Sequence, residues 1–328
     1  MKAIVNTVYG SPDVLKLKEV AQPVPKANEV LIKVHAASVN SADLHLLKAD
    51  PFLARLGFGL FKPKTTILGA DVAGRVEAVG NAVTKFKPGD AVFGDLAACG
   101  FGTFAEYVCA REDALVLKPA NLSFEQAAAV PMAAVTALMG LRDKGHIQAG
   151  QKVLVLGASG GVGMFAVQIA RALGAEVTGV CSTQKMAMVR AIGADHVVDY
   201  TKADVTQNGQ HYDLIFDAAA YRSFKDYKPV LSPTGTYVLI GGSMSNLVEV
   251  GILGGWHSKK QGQTFTSLMA HPNAQDLATV KAMLEAGQVK PAIDRCYPLS
   301  EVPDALRHVD ARRVQGKVVI AVARDPKE

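Results

Sequence analysis

The stretch KVLVLGASGGVG, running from Lys152 to Gly163, decides the fold. Its residues 153–156 (VLVL) make an unbroken apolar run of the kind that fills a strand buried on both faces, and the run stops at a glycine cluster. Residues 164–173 (MFAVQIARAL) then space their apolar side chains as a helix does, until Gly174 closes it. The glycines therefore sit between a strand and a helix. From Ala158 the string reads Ala-x-Gly160-x-x-Gly163, with Ser159, Gly161 and Val162 between, which is the dinucleotide fingerprint with alanine in its first position. Gly160 would let the backbone approach a pyrophosphate and Gly163 would allow close helix-strand packing, with the phosphates at the helix N-terminus. A bare turn is the alternative, and the strand and helix on either side favour the nucleotide.

A second strand-like run, residues 176–181, ends about 20 residues beyond the glycines, where an NAD-binding fold carries an acid for the ribose hydroxyls. Here the chain reads Ser182-Thr183-Gln184-Lys185. No carboxylate stands there to repel a 2′-phosphate, and Lys185 with the Ser182 hydroxyl suits one, so the expected cofactor is NADPH.

At 328 residues the chain is long for one core, and two domains are expected. A composition of 49% hydrophobic and 20% charged residues is that of an ordinary globular protein. The net charge of +5 is scattered, without a run of Lys or Arg, which argues against a nucleic-acid surface and leaves room for an anionic ligand. The opening MKAIVNTVYG lacks a signal pattern and no stretch approaches the ~18 apolar residues of a membrane span. Cys99, Cys109, Cys181 and Cys296 form no C-x-x-C pair and read as free thiols. A cytoplasmic protein without membrane or nucleic-acid partners is the expectation.

Residues 2–122 look β-rich. Residues 29–37 (EVLIKVHAA) and 71–80 (DVAGRVEAVG) alternate as half-buried strands do, and residues 91–94 and 103–108 read as further short strands, with no comparable helical stretch among them. A β-barrel or sandwich domain follows. Ser123-x-x-Gln126 is a capping box opening an alanine-rich helical run, residues 127–141. Beyond the first two strands, residues 196–200, 213–218, 236–241 and 263–270 read as four more, the signature of a doubly wound parallel sheet. Residues 273–286 and 300–309 are helical and 316–322 a last strand, assigned back to the first domain.

The order of parts resembles the medium-chain dehydrogenase/reductase superfamily over nearly the full length, and within it the zinc-independent, quinone oxidoreductase (ζ-crystallin)-like branch. The resemblance rests on Val39-Asn40-Ser41-Ala42-Asp43, on Gly69-Ala70-Asp71-Val72-Ala73-Gly74-x-Val76, on the fingerprint at 158–163 and on Val198-Asp199-Tyr200. It implies an α/β protein with a GroES-like β-barrel catalytic domain, residues 1–122 and 272–328, and a Rossmann domain with a doubly wound parallel sheet, residues 123–271. It further implies that Asn40 faces the nicotinamide, that Thr136 contacts the cofactor, and that Gly241 and Gly242 lie along the nicotinamide. Ser182, Lys185, Tyr200 and Arg312 would surround the 2′-phosphate. For Asn40 the plain alternative is an Asx turn cap, and for Tyr200 half-buried packing. Zinc-dependent members carry Gly-His-Glu where this chain has Gly69-Ala70-Asp71, the first cysteine ligand is missing, and the four-cysteine lobe is absent, so no metal is expected.

Hydride transfer without a Lewis acid suits quinones and α,β-unsaturated carbonyls, whose negative charge delocalises onto a distant oxygen. The expected function is thus an NADPH-dependent reductase of such small molecules, as a homodimer. An alcohol or enoyl-thioester reductase, or a low-turnover NADPH-binding protein, is the alternative. No catalytic acid is assigned: Asp50-Pro51-Phe52 stands where some enoyl reductases carry a tyrosine, and His35 and His45 read as structural. Residues 51–64, rich in Phe and Leu, are the expected substrate lid.

Overall fold

A computed structural model describes residues 1–50, 55, 59–242, 244–251, 262–271 and 273–323. Two compact units divide the chain: Met1–Ala133 with Pro272–Glu285 and Pro291–Glu328, and Ala134–His271 with Ala286–Lys290. Half of the expected lid, residues 51–54 and 56–58 of 51–64, lies outside the described residues.

In the second unit, six parallel strands form one sheet, in the order His196–Asp199, Glu176–Cys181, Lys152–Leu156, Tyr212–Asp217, Leu231–Ile240, Thr264–Leu268. This is the doubly wound order 3-2-1-4-5-6 of a Rossmann fold, with its reversal between Lys152–Leu156 and Tyr212–Asp217. Val153, Leu154 and Val155 are wholly buried, each side chain contributing about 1.5–3 kcal/mol relative to exposure. The helix Gly161–Ala172 buries an unbroken row from Gly163 to Ala170 against the strands. Gln168, buried on that helix, accepts from Lys290 N at 2.8 Å and donates to Lys290 O at 3.0 Å. Those two bonds tie residues 286–290 to this unit.

In the first unit, Glu29–Val39 is the hub of a seven-stranded sheet. It pairs antiparallel with Lys317–Ala321, Asp71–Val79 and Tyr107–Arg111, and the sheet continues to Ile293–Pro298 on one side and to Ala91–Asp95 and Leu115–Leu117 on the other. The tail thus contributes two strands and the helices Ala274–Glu285 and Val302–Asp310. The expected capping box is formed, with Gln126 N donating to Ser123 Oγ (3.2 Å) and Ser123 N to Gln126 Oε1 (3.0 Å).

Two local expectations fail. A helix, Ser41–Lys48, interrupts the β-rich half, because Asp43 at its third position accepts from Asn40 N (2.8 Å) and so closes its first turn. The strand expected at 103–108 instead covers Tyr107–Arg111, since the register that buries Val108 and Ala110 against Glu29–Val39 starts later.

A methyl group at residue 163 would lie 2.1 Å from the Gly157 carbonyl oxygen, a backbone atom that cannot yield. Gly163→Ala is therefore expected to lower stability by at least ~1–3 kcal/mol, read by chemical unfolding. Gly160→Ala, whose new carbon meets nothing closer than 3.4 Å, should leave the unfolding midpoint nearly unchanged.

Candidate functional site

The sheet of the second unit ends in a crest of loops at its carboxyl edge. Leu156 runs into Gly157 (φ +74°), and Gly160, extended, caps the helix Gly161–Ala172. As at any helix N-terminus, the first-turn N–H groups have no acceptor within the helix and carry the positive end of its dipole. A Cβ on Gly160 would touch only the Gly157 carbonyl oxygen, at 3.4 Å, and without it the backbone there is bare for a phosphate to approach. Ala158 and Ser159 are buried beneath the turn, and Gly161 and Val162 are half-buried in the first turn.

Beside this turn, the loop after Glu176–Cys181 is tied down by Asp199. Its carboxylate accepts from Thr183 Oγ1 and from Thr201 N (3.0 Å) and Oγ1 (2.7 Å), and these bonds, the Thr183 hydroxyl above all, hold it below the usual carboxylate range. Ser182 and Lys185 are half-exposed on that loop, and Tyr200 stands exposed just past Asp199. The structure thus gathers the residues of 158–163, Ser182, Lys185 and Tyr200 along one edge of one sheet. Gly241 and Gly242, both with positive φ, follow Leu231–Ile240 on the same edge. Thr136 lies buried on the helix Pro131–Met139. Arg312 belongs to the first unit, exposed in the turn after Val302–Asp310 with φ +55°.

Asn40 lies in the first unit, in a buried polar cluster that strand register assembles. Ser38 is opposite Asp71, Asp71 is opposite Asp95, and Val39 is opposite Val318, which brings Lys317 alongside Asn40. Asp71 is 0% exposed and Lys317 3%. Asp71 Oδ2 accepts from Ser38 Oγ (2.7 Å) and Asn40 Nδ2 (2.9 Å), with Lys317 Nζ at 3.5 Å, while Oδ1 accepts from Met132 N (2.8 Å). Lys317 Nζ also donates to Asn40 Oδ1 and to Val39 O (3.2 Å). The Asn40 carboxamide is thereby gripped at both ends. Asp43 and Asp95 complete the group, and burial with the nearby Asp71 carboxylate pushes each up to about 7. Asp71 and Lys317 were not singled out from sequence, because 246 residues separate them and only the register joins them.

Other reactive groups are muted. Burial raises all four thiols above their usual range, Cys109 to about 11, which leaves no cysteine suited to nucleophilic attack. His35 is buried with its ring stacked on Phe124 at 4.2 Å. His45 sits in the last turn of its helix, Nδ1 3.1 Å from Asp50 O.

Residues 26–120 match the alcohol dehydrogenase GroES-like domain and residues 192–320 the zinc-binding dehydrogenase family. The 2-methylene-furan-3-one reductase of Solanum lycopersicum is 37% identical, across 98% of this chain and 79% of its own. The chloroplastic NADPH-dependent alkenal/one oxidoreductase of Arabidopsis thaliana is 35% identical, with the same two coverages. The quinone oxidoreductase structure from Coxiella burnetii superposes with a TM-score of 0.88 at 30% identity, covering 98% of this chain and 99% of that one. The chain belongs to the quinone oxidoreductase-like branch of the medium-chain dehydrogenase/reductase superfamily. Within that superfamily, the matched zinc-binding description meets an unusual donor set here: Ala70 replaces the imidazole, and Asp71 is bonded to an ammonium. Among the described residues, no three His, Cys, Asp or Glu side chains are grouped to hold a metal ion, and no helix is long and apolar enough to cross a membrane.

The raised Asp95 carboxyl has a thermodynamic signature. A folded-state value near 7 against about 4 in the unfolded chain means that its stabilising contribution is full below about pH 4 and is lost as pH rises towards 7. Asp95→Asn keeps the acceptor for Ala97 N. This variant is expected to gain stability over the native chain on going from pH 5 to pH 8, by on the order of 1–3 kcal/mol, in paired denaturant titrations. A difference that does not vary with pH would show that Asp95 titrates normally.

Proposed function

We propose that this protein is an NADPH-dependent, zinc-independent reductase of quinones and α,β-unsaturated carbonyl compounds. The observation that carries the reading is the carboxyl edge of the Rossmann sheet, where an open glycine turn at a helix N-terminus stands beside a loop bearing Ser182 and Lys185 and no acid. The names of the related reductases point to the same acceptors. Bound NADPH supplies a hydride to an electron-poor carbon.

The chain's own residues hold and orient. The fingerprint residues 158–163 take the pyrophosphate at the helix N-terminus, and Ser182, Lys185, Tyr200 and Arg312 take the 2′-phosphate. Thr136, Gly241, Gly242 and Asn40 serve the nicotinamide half, Asn40 with its amide already fixed by Lys317 and Asp71. Zinc has no part in this reading, because the carboxylate at the family's metal position is committed to Lys317, Asn40, Ser38 and a backbone N–H. The first unit is assigned the catalytic role and the second the cofactor. A homodimer formed along the terminal strand Thr264–Leu268, in the cytoplasm, completes the proposal.

Initial rates of NADPH and NADH oxidation against 9,10-phenanthrenequinone, an alkenal and a simple ketone, with and without chelator, test it. Chelator-insensitive turnover of quinone or alkenal with NADPH preferred is the expected result. Ketone reduction abolished by chelator would overturn zinc independence, and tight NADPH binding with every acceptor inert would leave only a binding protein. Lys185→Ala is expected to raise KM for NADPH by about 10- to 100-fold, the loss of a charged hydrogen bond, while KM for NADH moves less than about twofold.

A further inference from the structure

Two exposed aromatic rings meet at the carboxyl edge of the Rossmann sheet. Tyr200, past the third strand, is 53% exposed and Tyr221, past the fourth, 60%. Their centroids are 6.4 Å apart with the ring planes tilted by 48°. Strands three and four are not neighbours in the sheet: strands two and one lie between them. The segment leaving Asp217 must therefore run back across the ends of those strands to bring Tyr221 to Tyr200. That places the pair on the side of the crest where the Ser182–Lys185 loop stands, the side on which a Rossmann fold holds the ribose of its adenosine half.

The crossing segment is fixed on both sides of Tyr221. Buried Asp217 accepts from Ala219 N (2.9 Å) and Ala220 N (2.8 Å), and is itself held by the Tyr237 hydroxyl (2.7 Å). Ala220 adopts φ +53°, a left-handed conformation that costs a non-glycine residue stability and persists only where the surroundings impose it. Asn246 Nδ2 donates to Ala220 O at 3.1 Å. On the other side, Arg222 Nη1 reaches both oxygens of Asp204, at 2.9 and 3.1 Å. A large apolar ring is thus held out to solvent by a strained and heavily bonded turn, which an idle surface residue does not need.

We propose that Tyr221 is a cofactor-binding residue that stacks on the adenine ring of the dinucleotide, with Tyr200 packed behind it. The inference rests on the cofactor reading above. A base inserted between two parallel rings needs about 7 Å between them, so the tilted pair at 6.4 Å excludes a sandwich, and the base stacks on one ring alone. The Tyr200 hydroxyl stays available to the 2′-phosphate. One tyrosine reads the base and the other the phosphate.

Calorimetric titration with adenosine 2′,5′-bisphosphate and with adenosine 5′-diphosphate separates these roles without turnover. Tyr221→Ala is expected to weaken both ligands in the same proportion, within a range of about 5- to 150-fold, because a stack recognises the base that they share. Tyr221→Phe should stay within about threefold of the native chain. A loss below fivefold in Tyr221→Ala, as for rings exposed to dock another protein, would overturn the stack. So would a loss confined to the 2′-phosphorylated ligand, or an equal loss in Tyr221→Phe, either of which assigns a polar contact instead. If the native chain binds neither ligand, the cofactor reading itself fails, and the stack with it. Melting temperatures of both variants check that the exposed position leaves the fold intact.

Discussion

The close approach of residue 163 to the Gly157 carbonyl is the constraint on which the rest of the nucleotide-binding unit depends. With no side chain at 163, the helix Gly161–Ala172 can start directly above the end of Lys152–Leu156 and bury its apolar face along the sheet. Its N-terminus then points over the reversal between the first and fourth strands, where loops from both halves of the sheet diverge. Every other feature of the crest is arranged around that point: Asp199 ties the loop after the second strand, and Asp217 ties the loop after the fourth. Two buried or half-buried carboxylates thus fix loops through backbone and hydroxyl donors, and the exposed side chains on those loops inherit their rigidity.

The first unit solves a different problem, that of keeping charge inside a β-domain. Asp43, Asp71 and Asp95 are all buried and Lys317 is the ammonium among them. An isolated buried carboxylate is costly, and a buried ion pair recovers that cost only when its remaining hydrogen-bonding positions are filled. Asp71 meets the requirement with four donors, and Asp43 with the N–H groups of Asn40 and Gly69. With more carboxylates than cations, the cluster is eased by holding a proton, which is why burial and mutual repulsion push Asp43 and Asp95 towards neutrality.

How much of this was legible in the sequence follows from the range of the interactions involved. The central Rossmann strands were readable because strands buried on both faces appear as local apolar runs, and the glycine turn because its fingerprint spans only six residues. The helix Ser41–Lys48 was hidden by its shortness, although Asn40 and Asp43, three apart, were its start signal. The strand at Tyr107–Arg111 was misplaced because its partner sets its register. Asp71 with Lys317, and Tyr200 with Tyr221, were out of reach for the same reason. Each pair is made by sheet order, which periodicity does not encode.

The same interactions bear on the kind of chemistry the chain favours. A group that polarises a carbonyl or attacks a substrate needs free lone pairs or a lowered pKa, and here the candidates are otherwise engaged. The thiols are pushed up by burial, and both oxygens of Asp71 are occupied by donors. What such bonding does supply is fixed orientation, with the Asn40 carboxamide held at its oxygen by Lys317 and at its nitrogen by Asp71. Hydride delivery to a conjugated acceptor, whose own π-system carries the developing charge away from the reacting carbon, is the class of reaction in which positioning contributes most and activation least.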